Sequence, residues 1–248
     1  MIHIDNVADI YKKKNIVIWL ISSFKAGFIN SAGFLASGMF VSHVTGFGTQ
    51  GGIAMGHEEY FFGLELMIIP VFFILGGVLT SLILDRKYIK NECPPYYLVQ
   101  GLITLLLLLI IFIGGDEIFN SSKDYGFIEF AVIATLCLVC GLKNGLITWT
   151  TYGKIRVTHM TGLCTDLGLN LIHTFYPKQH NTRFKEARIV NITRVLTLGS
   201  FMSGAFISAI LFPKIGYKGF LVVFFISFIM TIYSVSQVRI IDQKVKAL

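Results

Sequence analysis

His43-Val-Thr-Gly-Phe-Gly-Thr-Gln-Gly-Gly52 and His159-Met-Thr-Gly-Leu-Cys-Thr-Asp-Leu-Gly168 agree at five of ten positions, sharing His, Thr, Gly, Thr and Gly. Upstream of the first stretch lies Gly27-Phe-Ile-Asn30, and upstream of the second lies Gly141-Leu-Lys-Asn144. Downstream, Gly77, Ser81, Ile83 and Leu84 align with Gly204, Ser208, Ile210 and Leu211. Three matching blocks in the same order mark an internal repeat, and a repeat constrains the whole architecture before any single motif is weighed.

The flanking sequence says what kind of fold is repeated. With 54% hydrophobic and only 14% charged residues and a mean hydropathy of +0.70, the chain is too apolar for a soluble globular domain. Six blocks approach the roughly 20 residues that a helix needs to cross a hydrocarbon core: Ile16 to Leu35, Phe62 to Leu84, Tyr97 to Gly114, Phe127 to Thr148, Val195 to Phe212 and Gly219 to Val238. The first follows Lys12, Lys13 and Lys14 but contains Lys25, Asn30 and Ser31, so it reads as an uncleaved span and not a signal peptide.

Positive residues fall on alternate sides of these spans. One side holds Lys12 to Lys14, Arg86 to Lys90, Lys154 to Arg188 and the basic C-tail, while the other holds Lys123, Lys214 and Lys218. Because positive loops stay cytoplasmic, both termini are expected in the cytoplasm. The net charge of +7 is then largely topological, and a nucleic-acid partner is not expected.

Each half, 16–114 and 127–238, contains three crossings, and an odd number inverts the second copy. The expected fold is therefore an all-α integral membrane protein, a single domain over 1–248 with six transmembrane helices in two inverted-topology repeats, the plan of many secondary transporters. The Gly-rich stretches Ala36 to Gly56 and Trp149 to His173 are too polar for lipid-facing helices and read as broken or re-entrant segments. If both crossed fully, the chain would have eight spans and parallel repeats, which would put Arg86, Lys87 and Lys90 outside, against the charge rule.

The motifs Gly27-Phe-Ile-Asn30, Phe40-Val-Ser-His43-Val-Thr45-Gly46, Gly141-Leu-Lys-Asn144 and Arg156-Val-Thr-His159-Met-Thr161-Gly162-Leu-Cys-Thr165-Asp166-Leu-Gly168 resemble those of the YoaK family, uncharacterised bacterial inner-membrane proteins. The resemblance covers nearly the whole chain and implies the six-span layout and a bacterial cytoplasmic membrane. The chain differs from the family pattern in Phe47, where a polar residue is expected, and in Lys143, where Gln is usual.

Asn30, His43 and Thr45 in one half, with Asn144, His159, Thr161 and Asp166 in the other, are the candidate substrate-binding residues. They supply amide, imidazole, hydroxyl and carboxylate groups that could replace the hydration of a small polar solute. The competing reading is that they bond neighbouring helices, with Asp166 capping a helix that begins near Leu167. Lys25 and Asp166 are candidates for charge or ion coupling. Lys25 lies near the middle of its span and needs a partner, for which Asp166, Glu65, Glu129 or an anionic solute are available, unless it bends to the interface. Lys143, five residues from a cytoplasmic end, is expected to reach water readily.

Cys137 and Cys140 form a C-x-x-C inside a span and read as buried apolar residues; no metal and no cofactor is expected. No H-E-x-x-H, phosphate loop or G-x-S-x-G is present, so no catalytic residues are assigned and the chain is not expected to be an enzyme. The expected function is passage of a small polar solute by alternating access, with a structural or sensory membrane protein as the alternative and a membrane-embedded enzyme using His43 or His159 as general base a less favoured one. Lipid and solute are the expected partners, and a homo-oligomer is compatible with this plan.

Overall fold

A computed structural model of the chain describes residues 7–89, 92–114, 126–175 and 182–246. Among these, eight α-helices follow one another: α1 (Lys13–Ser37), α2 (Val44–Gly56), α3 (Tyr60–Tyr88), α4 (Tyr96–Gly114), α5 (Phe127–Thr150), α6 (Met160–Phe175), α7 (Thr182–Ile215) and α8 (Leu221–Lys246). Short 3-10 turns, Val7–Tyr11 and Gly216–Phe220, precede α1 and α8. The acidic loop from Asp116 to Asp124, with Lys123, and the residues from Lys178 to His180 lie outside the described residues.

Five stretches are long and apolar enough to cross a membrane: α1, α3, α4, α5 and a run from Arg188 to Ile240 that carries α7, its 3-10 turn and α8. This is a helical membrane protein. Large apolar side chains cover its outside, with Phe61 and Phe127 almost fully exposed, as lipid contact requires. The six apolar blocks of the sequence fall in α1, α3, α4, α5, α7 and α8, but α7 begins at Thr182, not near Val195. Its basic first turns continue the helix beyond the apolar block, which hydropathy alone cannot show.

The helices divide into interior and peripheral ones. Of the most apolar window in each, 72% is buried in α5 and 61% in α1, against 39% in α4 and 22% in α3. The two interior helices each pair with a helix of the other half. Gly27 of α1 sits against the backbone carbonyl of Phe201 in α7, and Gly204 of α7 sits against the carbonyl of Phe24, so closely that a β-carbon at either glycine would collide with the partner's backbone. The same device joins α5 to α3, with Gly141 on the Phe73 carbonyl and Gly76 on the Leu138 carbonyl. Small residues at such crossings let backbones approach, and dispersion and weak C–H···O contacts replace the hydrophobic drive that lipid removes. Hydroxyls extend both seams: Ser23 donates to the Thr197 carbonyl at 2.8 Å and Ser200 to the Leu20 carbonyl at 2.7 Å, while Thr80 reaches the Leu142 carbonyl at 3.1 Å.

These contacts correct the alignment of the third repeated block by one residue. Gly76 and Thr80, not Gly77 and Ser81, occupy the places that Gly204 and Ser208 occupy in the other half, and Gly77 faces open space. Adjacent glycines made the register ambiguous in sequence, and backbone contact decides it.

Contact order along each seam gives direction. Residues 20, 24 and 28 of α1 meet 200, 204 and 212 of α7, so these helices run parallel. Phe73, Gly76 and Thr80 of α3 meet Gly141, Leu138 and Gly145 of α5, also parallel. In α4 and α8 the order reverses: Gly114 lies on the Tyr217 ring, just before α8 begins, and Gly101 faces Thr231. That pair is antiparallel, with Thr104 and Thr231 hydroxyls 3.2 Å apart.

Replacing Gly141 by Leu is expected to push α5 off α3 and lower the unfolding temperature sharply, an overpacking cost of about 3 kcal/mol or more. Gly77→Leu, one residue from the seam, is expected to change it little; detergent-solubilised thermal unfolding of both variants checks this.

Candidate functional site

After α1 ends at Gly38, in the left-handed conformation with φ 71°, the chain turns back along its own helix. Val41 is fully buried, its side chain filling the space that Gly33 leaves bare, and its carbonyl accepts a bond from the Cys137 thiol at 3.0 Å. The Asn30 Oδ1 atom then accepts both the N–H of Ser42, at 3.0 Å, and the Ser42 hydroxyl, at 2.9 Å. Residue 42 is thus held beside residue 30, and α2 starts from there with His43 at its N-cap position.

The second half repeats this turn by turn. Beyond α5, Gly153 takes φ 73°, Val157 is fully buried, and Asn144 Nδ2 donates to the Thr158 hydroxyl at 2.7 Å. His159 immediately precedes α6. Thr49 and Thr165 each bond back to the carbonyls of Thr45 and Thr161 at 3.0 Å. In both halves an asparagine therefore clasps the hydroxyl residue just before the motif histidine. Sequence reading missed Ser42 and Thr158; a hydroxyl before each His was the available signal.

At 13 and 16 residues, α2 and α6 are about 20 and 24 Å long, short of a hydrocarbon core of roughly 30 Å. They fold back on their neighbours: Gly51 of α2 packs on Leu66 and Met67 of α3, and α6 holds α7 through Asn191 Nδ2 to the Asn170 carbonyl at 2.8 Å.

Among the described residues α2 and α6 make no contact, while α1, which carries Asn30, and α5, which carries Asn144, do. Asn144 is buried and Asn30 half-buried, whereas His43, Thr45, Thr161 and Asp166 are exposed. Asp166 does not begin a helix near Leu167: α6 starts at Met160, and Asp166 lies inside it, paired with Arg194 at 3.3 Å. A cleft of about 910 Å³ opens beside this pair, lined by Tyr11, Lys154, Arg156, Arg194 and Thr197 among others.

The family model described as "Protein of unknown function (DUF1275)" matches residues 18–233. The chain belongs to the DUF1275 family. No curated protein matches it, and no solved structure does.

The charges inside this DUF1275 chain differ from expectation. Lys25 is buried, and its ammonium finds only the Met230 sulfur at 3.9 Å. None of the carboxylates expected to pair with it does so: Asp166 holds Arg194, and Glu65 is exposed. Lys143 does not reach water. It is 4% exposed, and its Nζ is fully enclosed with no hydrogen-bond partner. The reason is tertiary, since Lys143 sits on α5, the most enclosed helix. Cys137 and Cys140 are buried and free, and among the described residues no three His, Cys, Asp or Glu side chains converge on a metal position.

Partial desolvation, then the Arg156 guanidinium, holds the His159 imidazole below its ordinary value of 6.5. As pH falls below about 6.5 the unfolded chain binds this proton first, so the stability linked to His159 is full above that pH and is lost as pH falls through the lower native value. The unfolding temperature of the wild type is expected to drop more between pH 7.5 and 5 than that of His159→Gln; equal slopes would remove His159 from the balance.

Proposed function

We propose that this chain is a secondary transporter or facilitator of a small polar solute in the bacterial inner membrane, working by alternating access between two inverted three-crossing repeats. The observation that carries the reading is the clasp that occurs once in each half: Asn30 to Ser42 before α2, Asn144 to Thr158 before α6. Each turns the chain at membrane depth and begins a half-length helix there. Interrupted helices with polar, irregular backbone are tolerated in a membrane where they face protein or a water-filled path, and paired ones are the common design of transporter sites.

Helix directions support the inverted arrangement. Parallel α1 and α7, parallel α3 and α5, and antiparallel α4 and α8 all follow if six helices alternate and α2 and α6 return to the side they entered from. Eight crossings would make α4 and α8 parallel. The same plan gathers Lys12, Arg86, Lys154 and Arg239 on one side, together with the Tyr88, Tyr96 and Trp149 rings packed edge to face. Positive charge and interfacial aromatics on one face support cytoplasmic termini. The YoaK-like motifs lie within the region that the family model covers.

One observation favours a second reading, a scaffold without transport: both asparagines direct their amides to the chain itself. Osmotic swelling of proteoliposomes in iso-osmotic small solutes separates the two. Transport predicts that at least one solute enters faster than in protein-free vesicles, and that Asn30→Ala and Asn144→Ala each abolish this, at a stability cost of about 1 kcal/mol per lost hydrogen bond. If no solute enters faster, or if uptake survives both substitutions, the transport reading or this assignment of the site is rejected.

A further inference from the structure

Four segments far apart in sequence enclose the cleft of about 910 Å³, and its charge is one-sided. Lys154 and Arg156 come from the turn between α5 and α6, Asp166 from α6, Arg194 from α7, and Tyr11 from the 3-10 turn ahead of α1. Three cations thus share one cavity with a single carboxylate. That carboxylate is taken by Arg194, whose Nη2 lies 3.3 Å from Asp166 Oδ2. Among the described residues neither Lys154 nor Arg156 has an ion-pair partner, since Asp9 and Glu92 hold Lys12 and Lys87. A cleft lined by one sign of charge focuses its field and concentrates counter-ions.

The walls are held by contacts of their own. Trp19 Nε1 donates to the Ile10 carbonyl at 3.0 Å and Asn15 Nδ2 to the Asp9 carbonyl at 2.6 Å, which fixes the turn that ends in Tyr11. Buried Ile155 and Val157 alternate with exposed Lys154 and Arg156 and anchor that stretch. Arg194 Nη1 donates to Asn191 Oδ1 at 2.9 Å and to the Asp166 carbonyl at 3.3 Å, and buried Asn191 is itself bonded to the Asn170 carbonyl. One guanidinium is therefore oriented before any ligand arrives, which lowers the entropy cost of binding. The cleft also sits at a boundary. The apolar lengths of α1 and α7 begin at Lys13 and Arg188, and Tyr11 and Ile189, beside those positions, both line it.

We propose that Lys154, Arg156 and Arg194 make this cleft a binding site for an anionic phosphate group, that of a small phosphate ester or of a lipid headgroup. With Asp166 offsetting one cation, two positive charges remain, and a phosphate monoester carries about −1.5 to −2 at neutral pH. A carboxylate answers only one of them. Two guanidinium forks suit the paired oxygens of phosphate, and a lysine adds a point charge. Basic pockets between helices at a membrane boundary are suited to anionic headgroups, and the Leu163 and Ile189 side chains give an ester's apolar part a wall to lie on. Neither Asn30 nor Asn144 lines this cleft, so the site stands whether or not the chain carries a solute.

The experiment follows thermal unfolding of the purified full chain in two arms. In detergent, sodium phosphate and glycerol 3-phosphate are titrated against sodium nitrate at matched ionic strength. In mixed micelles, phosphatidylglycerol is titrated against net-neutral phosphatidylcholine. A phosphate compound is expected to raise the unfolding temperature saturably, by about 5 °C near 100 times its dissociation constant. A shift with the soluble phosphates supports the site with a small ester as its ligand, and a shift with phosphatidylglycerol alone supports it with a headgroup. Lys154→Gln and Arg156→Gln combined are expected to raise the dissociation constant about tenfold or more, while Arg86→Gln, an exposed cation on α3 outside the cleft, leaves it within about twofold. Asp166→Asn keeps an acceptor for Arg194 but removes the opposing charge, and is expected to tighten binding about threefold. Damage to the fold does not tighten binding, so this variant keeps the test decisive if the double one does not fold. No shift beyond the nitrate and phosphatidylcholine controls, a shift that the double variant retains, or an equal loss in Arg86→Gln overturns the proposal.

Discussion

The close approach of α1 to α7 and of α5 to α3 is the interaction on which the rest of this structure depends. Lipid gives no hydrophobic reason for one apolar helix to prefer another, so association rests on contact quality. Gly27 and Gly204 on one seam, and Gly141 and Gly76 on the other, bring backbone against backbone. Each seam joins a helix of one half to a helix of the other, so neither half can assemble its interior alone. α1 and α5 are the most enclosed helices as a result, and Lys25 and Lys143 are among the side chains they bury.

That enclosure decides which polar groups the chain can tolerate and what they can do. Asn30 and Asn144 lie one turn beyond the seam glycines, where Asn30 accepts from the Ser42 N–H and hydroxyl and Asn144 donates to the Thr158 hydroxyl. Val41 and Val157, one residue earlier in each turn, are fully buried and anchor the same loops by packing. Lys25 and Lys143 occupy the same interior without comparable partners. Asn30 and Asn144 have hydrogen-bond partners within the chain, whereas Lys143 Nζ has none.

Much of the fold is legible in sequence because the bilayer imposes simple rules. Apolar runs of about 20 residues locate the long helices, and the His, Thr and Gly positions shared by two segments of the sequence fall at the start of and within α2 and α6. The candidate site is less legible. Its residues fall on α1 and α5 and at or within the short helices α2 and α6, and α2 and α6 make no contact among the described residues. Asp166 looks like a helix cap in sequence because Gly and Thr precede it, but α6 begins six residues earlier, and the side chain is free to pair with Arg194.

By itself the sequence determined that this is a membrane protein of helices, where its apolar helical blocks lie, and that a His-x-Thr-Gly motif occurs twice, because each is a local property of composition and spacing. Only the tertiary structure decided that Gly76 and not Gly77 carries the α3 seam, and that Lys143, in the last two turns of α5, is enclosed. It also showed that Ser42 and Thr158 close the turns. These are contacts between segments far apart in the chain: hydropathy shows that a helix is apolar, while the packing of its neighbours determines whether it lies at the centre or the rim.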